Sequence, residues 1–272
     1  MMKIKRYLIL LILLFTISKT GIAQVVSENK TEIDISTTIT TQELISVIDN
    51  SNLDTSLIVI LDFEKWPLEK NKYIAVAYFV SDKERKDNYI ATNEINCDEE
   101  TESINIFMFE FKDSLHIIGK YSSSPSAFKY DFNIIKYDGL SLGNYRVADN
   151  KVAFGINMST DAFYSGGWMT YYSLALFIKD GDELINIFSD YMGESGELAG
   201  EWITGENGEF MGRKREDINI ERKVTFLTTK TSGYYDMEIQ ESTEEITQTP
   251  SDLSNWDGSD YDSEKRISVD KS

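Results

Sequence analysis

Between Lys151 and Tyr191 the chain reads KVAFGINMST, DAFYSGGWMT, YYSLALFIKD and GDELINIFSDY, and this wording restricts the fold more than any other stretch. Val152 to Met158, Tyr172 to Lys179 and Glu183 to Phe188 are β-type runs. The last two are joined at Asp180-Gly181, a pair whose residues accept the positive backbone angles of a two-residue hairpin turn. Between the first and second runs lies a loop that carries Phe163, Tyr164, Trp168 and Tyr171, with Gly166 and Gly167 near its middle and Asp161 at its start.

The rest of the chain repeats this grammar. Leu57 to Leu61 and Tyr73 to Val80 are short, nearly continuous apolar runs. Ile104 to Phe111 sets Ile104, Ile106 and Met108 against Phe107, Phe109 and Phe111, the pattern of a strand covered on both faces. Leu115 to Tyr121, Phe132 to Tyr137 and Asn144 to Val147 follow, with turns at Asp138-Gly139 and Ala148-Asp149-Asn150. One helix is predicted. Thr40-Thr41-Gln42-Glu43 has the spacing of a capping box, and Leu44, Ile45 and Ile48 share one helical face, so a short helix ends near Asn50. The expected fold is all-β, roughly a dozen antiparallel strands with one short N-terminal helix.

Three segments can be laid over one another: YIAVAYFV to LHIIGKY, KVAFGINM to NIFSDY, and KVTFLTTK through YYDMEIQ to KRISVD. Each is a strand, a loop and an antiparallel pair, a unit that cannot bury both faces alone. Repeated units of this kind stack radially, as in a partial propeller, or in pairs, as in a sandwich. Two acidic stretches interrupt them, near 192–212 and 241–262, and their Gly, Ser, Thr and Glu content predicts surface loops. Trp202 and Phe210 are expected to pin the first of these back onto the body.

The N-terminus reads as an address. Lys3, Lys5 and Arg6 precede the apolar run Tyr7 to Ile17, and Gly21-Ile22-Ala23 supplies small residues for cleavage between Ala23 and Gln24. The run falls short of the ~20 residues that span a bilayer, so no stable membrane insertion is expected once it is removed. The chain then divides into a signal peptide (1–23), a flexible segment (24–39) and a single β-rich domain (40–272), exported to the periplasm or the extracellular space. Loss of Lys3, Lys5, Arg6 and Lys19 takes the formal charge from −19 to −23. Such a surface repels nucleic acid and favours a cationic partner or plain solubility. Cys97 is the only cysteine, so no intrachain disulfide forms and the apolar core alone must hold the fold.

Few residues suggest catalysis. His116 is the only histidine and sits in an alternating strand, where a surface side chain is the expected role. Met192 to Glu197 (MGESGE) grazes the nucleophile elbow without its second glycine. One histidine and one cysteine do not make a zinc site, and Asn255-Trp256-Asp257-Gly258 with Glu264 matches an EF-hand loop except at Leu253, where an acid belongs. No metal and no cofactor are therefore predicted. The candidate site is the aromatic loop: Phe163, Tyr164, Trp168, Tyr171 and Asp161. Its rings can stack on sugar rings or anchor a protein partner, or they can fold back over the core.

The wording AFGINMST…FYSGGWMTYYSLALFIKDGDELINI, with SGYYDMEIQESTEEITQT later, resembles a loosely defined set of uncharacterised secreted bacterial proteins that look like partial propellers of the FG-GAP sort. The likeness covers about Leu57 to Ile267. The chain lacks the repeated Asp-x-Asp-Gly calcium loops of such repeats, and the resemblance implies a fold but no function. Together these readings predict an exported non-enzymatic binding protein of the cell envelope. Its partner is a protein or a glycan, and the acidic charge suits a cationic one. The alternative is a hydrolase, for example glycan-directed, that uses a carboxylate pair.

Overall fold

A computed structural model describes residues 39–49, 55–98, 100–128, 133–250 and 261–271. The expected signal peptide, the segment from Gln24 to Thr38 and the turn at Asn255–Gly258 lie outside the described residues. From Ile39 onward the chain forms one unit. Its described residues are all-β apart from two short α-helices, two single 3-10 turns and the connecting turns.

Helix α1 (Thr41–Asp49) starts as the capping box requires. The Thr40 hydroxyl accepts from the Glu43 amide at 3.2 Å, and the Glu43 carboxylate accepts from the Thr40 amide at 2.7 Å. Leu44 and Ile48 are fully buried, and Ile39, the last residue of the segment expected to be flexible, is buried as well.

Twelve strands join one sheet: β1 (Ile58–Lys65), β2 (Lys72–Phe79), β3 (Ile95–Asn96), β4 (Ser103–Phe111), β5 (Leu115–Ser123), β6 (Ile134–Ala148), β7 (Lys151–Tyr164), β8 (Gly167–Asp180), β9 (Glu183–Thr204), β10 (Phe210–Thr231), β11 (Tyr234–Pro250) and β12 (Tyr261–Lys271). The main path runs β1-β2-β4-β5-β9-β8-β7-β6-β3, and β10, β11 and β12 extend it outward from β9. The hairpins expected at 104–121 and 172–188 are present in register, the second turning at Gly181 with φ +61°. Among the described residues all ladders are antiparallel except the parallel bridge Lys120↔Glu183 between β5 and β9.

The pleat of β4 explains the curl of this sheet. Ile104, Ile106 and Met108 join a central cluster with Ile74, Val76, Phe154, Ile156, Ala175 and Phe177. Phe107 and Phe109 point the other way and are covered by Leu44 and Ile48 of α1. One apolar cluster therefore draws on β2 and β4 at one side of the path and β7 and β8 at the other, which requires the sheet to wrap round it. The wrap closes through side chains: Asp62 on β1 accepts from the Tyr137 hydroxyl at 3.2 Å and the Leu140 amide at 3.4 Å, both on β6. On the outer face of β7 and β8, Ala153, Leu174, Leu176 and Ile178 form a third cluster, covered by Tyr145 and by Phe226 of β10.

Four expectations are corrected. A second helix, α2 (Lys83–Thr92), occupies what reads as a polar loop, with Asp82 capping its start and Asn93 ending it in the left-handed region. The stretch near 192–212 is mostly strand, β9 running to Thr204 and β10 starting at Phe210. The stretch near 241–262 is β11 up to Pro250 and resumes as β12 at Tyr261. The turn at Asp138-Gly139 is a register shift inside β6, with Gly139 at φ +125°.

Candidate functional site

The aromatic loop is a hairpin. Strands β7 and β8 run on until Tyr164 pairs with Gly167, leaving Ser165 and Gly166 as the turn. Neither Gly166 nor Gly167 has a positive φ. Gly167 is needed for space instead, because a Cβ there would collide with the Glu197 carbonyl of β9. The turn is further tied down by the Ala199 amide, which donates to the Gly166 carbonyl at 2.5 Å. A frame this closely packed presents its rings rather than letting them wander.

Because the segment is strand, its side chains alternate. The register places Phe163 opposite Trp168, Trp168 opposite Glu197, and Glu197 opposite Asp217, one row across four strands. This row lies on the outer face, whose other half is closed by the Leu174–Ile178 cluster. At the hairpin end nothing comparable among the described residues covers it. Phe163 is 82 % exposed and Trp168 44 %. Asp161 occupies the next row on this face and is engaged there, accepting from Lys136 Nζ at 2.7 Å and Thr170 Oγ1 at 2.6 Å. The Lys136 hydrogen bond, then that of Thr170, holds its carboxyl below the usual range.

Tyr164 and Tyr171 belong to the opposite face. Their hydroxyls meet at 2.9 Å, Tyr171 packs against Tyr191, and Arg222 stacks over the Tyr191 ring at 4.8 Å. The five sequence-predicted residues are thus divided by the pleat: Phe163, Trp168 and Asp161 on the outer face, Tyr164 and Tyr171 on the other.

Two further rings join the outer set. Trp202 and Phe210 are not pins: they are 61 % and 55 % exposed and pack edge to face at 4.9 Å. Arg213, paired with Trp202 across the β9–β10 ladder, stacks on the indole at 4.5 Å and donates to the Gly200 and Ala199 carbonyls. Its guanidinium borders the β7–β8 turn at Gly166. The hairpin ends of β7–β8 and β9–β10 therefore present one neighbourhood of Phe163, Trp168, Trp202 and Phe210 round Arg213. The signal in the sequence is the pair of large rings flanking a glycine-rich acidic stretch, a composition that suggests a loop until its ladder is seen.

Other features fall short of a site. Asp62 and Glu64 are a close carboxylate couple. Burial, and then the charge of Asp62, pushes Glu64 above its usual range, but Asp62 is committed to the closure with β6. An open depression of about 750 Å³ lies between α1 and the β4–β5 hairpin, bordered by Glu43, Phe111, Ser114 and His116. Ser114 Oγ and His116 Nε2 are 2.9 Å apart, but they sit in solvent at a hairpin end, and Glu43 is spent on capping α1. Cys97 is buried. Among the described residues no group of three or more His, Cys, Asp or Glu could hold a metal, and no helix is long and apolar enough to cross a membrane. Compared with known proteins, the chain matches no family model, no curated protein and no solved structure.

Proposed function

We propose that this chain is an exported, non-enzymatic binding protein of the bacterial cell envelope that engages its ligand with the aromatic end of its sheet. The observation that carries this reading is the cost the fold bears there. Four large rings stand half or more in water, or nearly so, on closely packed hairpin ends, although the same sheet buries rings such as Phe107, Phe109 and Phe177 completely. Exposed aromatic clusters on a rigid frame offer large contact area with few rotors to immobilise, the usual composition of a recognition surface. The basic residues, apolar run and small residues before Gln24 support export, and the low pI of about 4.5 suits a soluble protein or one that meets a cationic partner.

The test uses the mature chain from Gln24, immobilised and exposed to envelope extract, beside the Phe163→Ala/Trp168→Ala variant. The expected result is an envelope component held by the wild type and lost from the variant, with circular dichroism and melting temperature preserved. Equal retention by both would overturn the role of this end. N-terminal sequencing of the exported protein should begin at Gln24, and an intact Met1 in the membrane fraction would overturn export.

A further inference from the structure

On the premise that this end of the sheet is the binding surface proposed above, the chemistry of the outer face narrows the class of ligand. Successive strands contribute Phe163 from β7, Trp168 from β8, Glu197 from β9, Arg215 from β10, Gln248 from β11 and Tyr261 from β12. The register sets all of these on one face. Phe163, Trp168 and Glu197 share a row, Arg215 and Gln248 are directly paired in the neighbouring row, and Tyr261 lies one row further on. Arg215 links the two halves: its Nε is 3.6 Å from Glu197 Oε1, and its guanidinium lies 4.8 Å over the Tyr261 ring. Gln248 donates to Asp217 at 2.8 Å on the same face. Ring, ring, carboxylate, guanidinium, amide and ring succeed one another at the inter-strand spacing, so the strip is roughly 24 Å long at ~4.8 Å per strand.

Three properties of this strip select among partners. The rings at its two ends, the Phe163–Trp168 pair and Tyr261, are separated by polar groups, whereas a protein interface gathers its apolar residues into a contiguous core. Its charges balance in sign: Glu197 lies against Arg215 and Asp161 against Lys136, while Asp217 accepts from the neutral Gln248 and Arg213 adds one cation at the hairpin end, so neither sign dominates to select an ionic ligand. The chain carries a formal charge of −19, opposed to an anionic membrane surface. A ligand that suits all three has apolar faces to lie on rings, many neutral hydroxyls to bridge carboxylate, guanidinium and amide, and no net charge. We infer that the outer face binds an uncharged polysaccharide chain, laid across the strands from Phe163 toward Tyr261. The length of the strip accommodates several sugar units rather than one.

Affinity electrophoresis of the mature chain tests this, in native gels containing soluble mixed-linkage β-glucan, xylan, galactomannan or dextran, with alginate as the anionic counterpart. The expected result is retardation by at least one neutral polymer, unchanged between low and high salt, and none by alginate. Trp168→Ala should weaken it roughly tenfold or more. Trp168→Phe should retain part of it, and Tyr234→Ala, an exposed ring at the far end of the β10–β11 hairpin, should leave it intact. Retardation by no neutral polymer, by alginate alone, or undiminished in both Trp168→Ala and Phe163→Ala overturns the inference. If it falls while ring-dependent capture from envelope extract persists, the binding role stands with another class of ligand. If that capture is also absent, the binding role falls with it.

Discussion

Strands β2 and β11 each have a neighbour on both sides, yet they are built on different physics. β2 spans eight residues, and six of them, Tyr73 to Tyr78, are buried, because the central cluster covers one face and α1 the other. β11 spans seventeen residues and buries only Pro250. Its side chains alternate among Glu, Thr, Ile and Gln and find partners across the ladder, as Glu241 does with Arg222 at 2.7 Å and Glu244 with Lys265 at 2.8 Å. Residues that fill a two-sided core are selected for volume. Residues in a sheet that is only partly covered are selected more for β-propensity and cross-strand pairing than for volume. One continuous hydrogen-bonded sheet thus has a doubly packed part and a largely unpacked part, and the candidate site lies where the first gives way to the second.

The largest effect expected is a break in the packed part. Phe177 is fully buried between Phe154 at 5.8 Å and Tyr121 at 5.0 Å, so Phe177→Ala removes a ring from the middle of the central cluster. Urea denaturation should show a loss of roughly 3–5 kcal/mol. Ile267→Ala on β12, where the side chain is 65 % exposed, should stay within about 0.5 kcal/mol. Comparable losses for the two substitutions would mean that the β10–β12 meander is packed after all.

The same contrast explains what is legible in the sequence. The Asp180-Gly181 hairpin, the capping box of α1 and the two-faced pattern of β4 are all readable, since each is a local signal that the packed core reinforces. Whereas Lys223 to Lys230 and Tyr234 to Gln240 read as strands from the sequence, the far parts of β9 and β11, within 192–212 and 241–250, look like loops because Gly193, Gly196, Gly200 and the neighbouring glutamates carry no apolar period. Their strand character comes from ladders with residues distant in sequence, such as Ile220 with both Glu194 and Thr243. Helix α2 escapes sequence reasoning for a related reason. Its sequence KERKDNYIAT is polar on nearly every side, and its anchors are single residues one turn apart: Arg85 on Glu102, and Tyr89 against Tyr78 at 5.7 Å. The aromatic residues are legible, but their division between two faces depends on the extended hairpin, which two glycines make look like a loop.

The anchor of α2 supplies the second test. Glu102 is 1 % exposed and accepts from Arg85 Nε at 2.9 Å and from the Tyr78 hydroxyl. Burial, and then the bond to Glu102, drives the Tyr78 hydroxyl well above its ordinary pKa. Glu102→Ala removes the carboxylate that accepts from the buried Tyr78 hydroxyl and from Arg85, and should cost roughly 3 kcal/mol. The corresponding cut in the meander, Glu241→Ala opposite the solvent-screened Arg222, should cost about 0.5 kcal/mol. Equal costs measured by thermal denaturation would remove the distinction between a buried and a wet ion pair in this protein.

The smallest effect belongs to the boundary between the two parts, where Asp138 and Asp161 both feel the charge of Lys136. Partial desolvation of a carboxyl on a residue that is itself exposed, opposed by a hydrogen bond from Ser159, raises Asp138, whereas the Lys136 and Thr170 hydrogen bonds lower Asp161. The signs follow from an unfolded Asp near about 3.9. Asp161, depressed in the fold, contributes stability that is present above that value and lost as pH falls through its folded pKa. Asp138, raised in the fold, costs nothing below about 3.9, and its burden grows as pH climbs through its raised value and persists at neutrality. Asp161→Asn should therefore lower the melting temperature at neutral pH, and Asp138→Asn should raise it. Both differences from wild type should shrink as the solution is acidified, that of Asp138→Asn vanishing below about pH 4 and that of Asp161→Asn only further down. Melting curves across that range decide the matter: two shifts of the same sign at neutral pH would show that the fold does not hold these two carboxylates in opposite senses.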